Sequence, residues 1–135
     1  MTIEYLDLAD FIAIAASVTN LDEATIAKVA DLGLADSALH APAATYGETE
    51  FYPDFVDKAA VLIVRLARNH PLPDGNKRAA WVSLRMFVDI NGRTWSPRPT
   101  IGDAEAAVLA IAAGGWDEGK AAAWLRERLA EPSDD

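Results

Sequence analysis

The chain has 135 residues and a formal net charge of -9, from 12 basic and 21 acidic side chains. That length suits one domain with a real core, and 51% hydrophobic content excludes global disorder. The absence of cysteine excludes disulfides, thiolate metal sites and a cysteine nucleophile, and the negative field opposes nucleic acid as a partner.

Ile3-Glu4-Tyr5-Leu6 reads as a short extended lead-in. Asp7 is a plausible N-cap, and Leu8, Phe11, Ile12 and Ala15 recur at helical spacing up to about Val18. Thr19-Asn20 breaks the pattern. Leu21 to Asp31 predicts a second helix with Gly33 as its stop, and Asp36 to Ala41 one more short turn. From Pro42 to Pro53 the helical pattern is weakest. Gly47 offers turn chemistry between Tyr46 and the pair Phe51-Tyr52, so a surface loop or short hairpin is expected, its aromatics available to cover the core.

Asp54 to Asn69 predicts a first central helix. Phe55, Ala59, Leu62, Ile63, Leu66 and Ala67 form a wide apolar face, and Val56, Val61 and Val64 extend it around most of the helix. Asn76 to Asn91 predicts a second, ended by Asn91-Gly92. Thr100 with Asp103 has capping-box spacing and starts an Ala-rich helix to about Ala113. Gly114-Gly115 stops it, Trp116-Asp117 opens a last helix to Ala130, and residues 131–135 are expected to fray. The reading is an all-α fold of about six helices with a short hairpin, in one domain over residues 1–130. Asp7 and Asp10 interrupt any leader-like run and no stretch reaches the ~18 apolar residues of a membrane span, so a cytoplasmic protein without a membrane partner is expected.

The stretch Asn69 to Arg78 gathers an imidazole, a carboxylate, a carboxamide, an ammonium and a guanidinium between the two central helices. Pro71, Pro73 and Gly75 keep those helices from merging. The polar groups therefore sit on a tight loop opening onto a helix N-terminus, where free N–H groups and the dipole favour an anion. Gly75 lets backbone amides approach a phosphate, Asn76 can cap the helix or donate to a phosphate oxygen, and Lys77 and Arg78 add cations. Cations there oppose the dipole unless an anion meets them. Asp74 alone suffices for Mg²⁺, which takes one or two carboxylates plus phosphates and water. An imidazole titrates near neutral pH and suits a general base, so with His70 the set reads as phosphoryl or nucleotidyl transfer.

His70-Pro71-Leu72-Pro73-Asp74-Gly75-Asn76-Lys77-Arg78 resembles the Fic-domain signature H-x-F-x-D/E-A/G-N-G/K-R. It is closer to the Doc branch, the death-on-curing toxins of prophage and bacterial toxin–antitoxin pairs. Ser37-Ala38-Leu39, Tyr52-Pro53, Ala59-Ala60, Leu66-Ala67-Arg68-Asn69 and Asn91-Gly92 extend the likeness over about residues 3 to 130. The resemblance implies a compact helical fold with the motif between the central helices. It implies that His70 takes a proton from a target hydroxyl, that Asp74 holds Mg²⁺ on the phosphates of ATP, and that Gly75, Asn76, Lys77 and Arg78 bind those phosphates. It further implies that the 45–52 segment, with Tyr46, Gly47, Phe51 and Tyr52, is a flap that aligns the target by strand-like pairing.

Leu72 replaces the motif Phe and is expected to pack in its place with some loss of contact. Lys77 stands where AMP-transferring relatives typically carry Gly, and Trp81 where they carry a second Arg. Doc toxins share the Lys, lack that Arg, and are associated with phosphorylation. The implied activity is transfer of the ATP γ-phosphate to a threonine or serine of a translation factor, elongation factor Tu being the family's known target, with a cognate antitoxin as second partner. AMP transfer to a protein hydroxyl is one alternative. A catalytically degenerate Fic fold acting as a binding module, supported by Leu72 alone, is another. Nucleic-acid binding through the basic residues of the middle third (Lys58, Arg65, Arg68, Lys77, Arg78, Arg85 and Arg93) is opposed by the net charge.

Overall fold

Short polar side chains start most of the helices. A computed structural model describes residues 2–132 of the chain. Asp7 forms a reciprocal capping box with Asp10 at the head of α1 (Leu8–Thr19). Asp22 accepts from Thr25 N–H at α2 (Glu23–Val29), and Asp31 accepts from Leu34 N–H at α3 (Leu32–His40). Thr100 and Asp103 make the expected box at α6 (Ile101–Ala112), and Asp117 caps α7 (Glu118–Arg126). Between them lie α4 (Phe55–Asn69) and α5 (Asn76–Ile90).

Among the described residues the fold is all-α apart from one hairpin, with seven helices where about six were expected. Gly33 is not a stop: it lies in the first turn of α3, two residues after the Asp31 cap. A side-chain cap is worth about 1 kcal/mol, comparable to the penalty for one helical glycine, and Ala35, Ala38 and Leu39 add burial. The last helix also ends early. Leu129 forms an antiparallel bridge with Trp95, flanked by Ser96 N–H to Arg128 O at 2.7 Å and Ala130 N–H to Thr94 O at 2.9 Å. That pairing takes the backbone groups that a longer helix needs. Of the tail expected to fray, residues 133–135 lie outside the described residues.

A 3-10 turn at Ala41–Ala43 leads into the hairpin of β1 (Thr45–Tyr46) and β2 (Thr49–Glu50), which pair in the register Thr45↔Glu50 and Tyr46↔Thr49. Gly47 takes the left-handed φ of 62° that turns the chain back.

α4 is the axis of the core. Eleven of its residues are buried, and it packs against α3, α5, α6 and α7. Leu62 and Leu66 meet Leu84 and Phe87 of α5 and Leu125 of α7 within one hydrophobic cluster. Phe87 stacks between Tyr5 and Phe55, at 6.1 and 5.0 Å, which ties the lead-in to both central helices. Among the described residues no helix is long and apolar enough to cross a membrane.

One buried group on α5 works against stability. Ser83 is fully buried and its hydroxyl has no hydrogen-bond partner among the described residues. Ser83→Ala removes that unmet polar atom and improves helix propensity. It should raise unfolding free energy by about 0.5–1 kcal/mol in urea titrations with an unchanged m-value. A loss of stability instead would mean that the hydroxyl finds a partner in solution.

Candidate functional site

The loop between α4 and α5 is built by its backbone. His70 caps α4 in the left-handed region, with φ 49° and ψ 56°. Gly75 begins α5 with φ 82°, where a Cβ would also come within 3.1 Å of Thr19 Cγ2. Thus the glycine is required by the turn and by the close passage of α1. Asp31 N–H donates to Pro71 O at 2.7 Å, and Asn69 Nδ2 donates to Leu34 O at 3.2 Å, so the start of α3 holds the near side of the loop. Leu72 is only 4% exposed and joins the core, as expected for the residue in the motif Phe position.

Asn76 is the internal brace. Its Oδ1 accepts from Leu72 N–H at 2.9 Å and its Nδ2 donates to Leu72 O at 2.8 Å. This differs from the sequence reading of a cap or a phosphate donor. The N-cap position belongs to Gly75, which has no side chain to cap with, and the Asn76 amide is turned to the loop backbone. Among the described residues the N–H groups of Asn76, Lys77 and Arg78 meet no acceptor.

Because backbone bonds and Asn76 fix the loop, the side chains of His70, Asp74, Lys77 and Arg78 are exposed and form no bond among the described residues. All four border a single cleft of about 740 Å³, a size usual for small-molecule sites. Trp81, Val82 and Arg85 continue that wall along α5. Ile101, Glu105, Val108 and Leu109 of α6 and Val18 of α1 also line the cleft. The lining from the α5 head is thus polar and cationic, and that from α6 largely apolar.

The flap residues stand apart. Tyr46 and Phe51 are 81% and 60% exposed, and neither they nor Gly47 or Tyr52 borders the cleft. Tyr52 is committed elsewhere: its hydroxyl donates to Glu118 Oε2 at 3.2 Å. Burial and then the Glu118 carboxylate push its phenol above the ordinary range, so it stays a donor.

The basic cluster of the middle third also divides. Arg65 pairs with Glu118, Arg68 donates to the carbonyls of Ile111 and Trp116, Arg93 donates to Ala130 O, and Lys58 turns to Glu50. Only Lys77, Arg78 and Arg85 of the seven face the cleft. Arg85 was legible in principle, since it follows Arg78 by two helical turns on one face. The apolar α6 wall carried no motif to mark it.

A family model described as the Fic/DOC family matches residues 5–88, from the lead-in to the last turn of α5. The chain belongs to the Fic/DOC family. Toxin Doc of Mycolicibacterium smegmatis (strain ATCC 700084 / mc(2)155) is 47% identical over 89 residues, and bears out the likeness to the Doc branch. That match covers 66% of this chain and 65% of the relative, so it spans just under two-thirds of that protein's length. The family match ends at residue 88, which leaves the α6 side of the cleft outside it.

The residues present fit a nucleotide with Mg²⁺. No three His, Asp or Glu side chains cluster as a metal cage among the described residues. A cation at Asp74 would therefore take its other ligands from phosphate oxygens and water, the usual habit of Mg²⁺. Open N–H groups with Lys77 and Arg78 supply the charge complement for the phosphates.

Proposed function

We propose that this Fic/DOC chain is the toxin of a toxin–antitoxin pair and a protein kinase, transferring the γ-phosphate of ATP to a threonine or serine of a translation factor. Elongation factor Tu is the proposed target and the cognate antitoxin the second partner. The observation that carries the reading is the shared cleft: His70, Asp74, Lys77 and Arg78 border one cavity at the open head of α5.

In this mechanism the phosphates lie against the N–H groups of Asn76, Lys77 and Arg78, with the two cations beside them. Asp74 holds Mg²⁺, which when bound neutralises phosphate charge. The target hydroxyl loses its proton to the His70 imidazole as its oxygen bonds to the γ-phosphorus. The bond from that phosphorus to the bridging oxygen breaks, and ADP leaves. Positioning and charge neutralisation account for most of such catalysis. Gly75, Asn76 and Leu72 act by shaping the loop.

Trp81 supports kinase activity over AMP transfer. The position of the second Arg of AMP-transferring relatives is here an indole packed on Trp95 and Trp124, at 5.7 and 6.2 Å, which offers no charge. One observation favours AMP transfer as the second reading: Arg85, one turn beyond Trp81, places a cation on the same wall. Incubation of the chain with the target and ATP labelled at γ or at α separates the two. Label from γ alone is the expected result, and label from α alone would replace the kinase with a nucleotidyl transferase.

Mg·ATP should also raise the melting temperature by several degrees and change the fluorescence of Trp81 at the cleft wall. If neither signal moves at millimolar nucleotide, the chain is a binding module rather than an enzyme.

A further inference from the structure

The flap is tied to the core by a buried lysine that the mechanism above leaves unused. Lys58 lies in the first turns of α4 and is only 1% exposed. An ammonium at such a place is costly to bury unless it is paired and hydrogen-bonded. It is both. Its Nζ donates to Glu50 Oε1 at 2.9 Å and to Pro42 O at 3.1 Å, and stands 5.6 Å from the centre of the Tyr5 ring. Burial works against its charge, yet the bond to Glu50 and the neighbouring Tyr5 more than offset that, so it remains an ammonium.

The two acceptors stand at the two ends of the hairpin. Pro42 belongs to the 3-10 turn that leads in, and Glu50 is the last residue of β2. Phe51 N–H to Ala44 O at 3.0 Å closes the base beside them. One ammonium therefore fastens both legs of a hairpin that is otherwise only two strand residues long on each side and exposed throughout. So short a hairpin is not stable alone in water. The same helix, at its other end, places His70. His70 lies twelve residue steps along the chain from Lys58, roughly 18 Å at 1.5 Å per residue, and that stretch of α4 is the rigid axis of the core.

We propose that Lys58 is a positioning residue for the protein substrate: through Glu50 and Pro42 it sets the hairpin edge, which receives an extended segment of the target, at a fixed offset from His70. For its functional half the proposal rests on the kinase reading above and on the target-aligning flap that the Fic/Doc resemblance implies for residues 45–52. Its structural half does not, and the experiment keeps the halves separate.

Three variants are compared with wild type: Lys58→Met, which keeps the apolar stem; Glu50→Ala, which removes the surface partner without touching the core; and Glu50→Gln, which keeps an acceptor for Lys58. Hydrogen exchange over residues 45–51 is measured first, with no substrate present. Lys58→Met and Glu50→Ala should speed exchange there by about tenfold or more while α4 and α5 stay protected, and Glu50→Gln should restore much of the protection. Steady-state kinetics come second. The KM for the protein target should rise about tenfold in Lys58→Met and Glu50→Ala, with the Mg·ATP affinity unchanged and kcat much less affected.

Should Glu50→Ala leave exchange at 45–51 as in wild type, the tether is refuted, even if Lys58→Met fails to fold. If exchange rises but the target KM stays within twofold of wild type, the hairpin does not position the substrate and the proposal falls. A wild-type protein that transfers nothing to any protein would sink the kinase reading, with the exchange result still deciding the tether.

Discussion

On the proposed kinase reading, His70→Asn should lower phosphoryl transfer by about 10²–10⁴-fold while leaving the melting temperature and the affinity for Mg·ATP close to those of wild type. The reason for choosing Asn is the backbone. His70 sits at φ 49°, a left-handed conformation that Asn adopts more readily than most side chains. Replacement by Ala tests the same chemistry with some added strain at the end of α4. Removing the imidazole leaves the loop intact, because its bonds run through Asp31, Asn69 and Asn76 rather than through His70. Stability should therefore move by no more than about 0.5 kcal/mol. A variant that turns over at the wild-type rate would show that another group, or the substrate itself, takes the proton.

The parts of this protein that were legible in its sequence are those in which local chemistry and burial agree. α4 and α5 announced themselves by apolar faces and by the prolines and glycine between them. Asp7, Thr100 with Asp103, and Asp117 are caps that occupy the places their spacing implied. Leu72 packs inside, as a hydrophobic residue in a loop otherwise rich in polar groups should. The misreadings come from competition between local and distant partners. Gly33 reads as a stop until the Asp31 cap is weighed against it. Leu129 fits a helical row, but its backbone pairs with Trp95, a residue with which it shares no sequence pattern. The basic residues looked like one cluster in the chain, yet in space Arg65, Arg68 and Arg93 serve α7, the α6–α7 turn and the C-terminal segment. Periodicity shows which face of a helix is apolar. It does not show which neighbour an exposed guanidinium on the edge will reach.

Asn76 is where that distinction has the greatest experimental consequence. Two roles compete: an amide that touches phosphate, and an amide that braces the loop against itself. The geometry favours the brace, with 2.9 and 2.8 Å bonds to the two backbone groups of Leu72. Asn76→Ala removes both bonds and leaves the Leu72 N–H and carbonyl in a part-buried loop. The loss should be about 2 kcal/mol at about 1 kcal/mol per bond, read as a lower melting temperature. Activity should fall by about 10²-fold or more, since the loop then no longer holds His70 and Asp74 in one register, and a displacement of about 1 Å suffices for that. Asn76→Asp separates the roles further. A carboxylate still accepts from Leu72 N–H but sets an oxygen against Leu72 O, so its stability should lie between that of wild type and Asn76→Ala. Its nucleotide affinity should fall lowest, because it adds a second negative charge beside Asp74 at the proposed phosphate site. If Asn76→Ala instead loses nucleotide affinity with its melting temperature unmoved, the amide belongs to the phosphates and the brace is incidental.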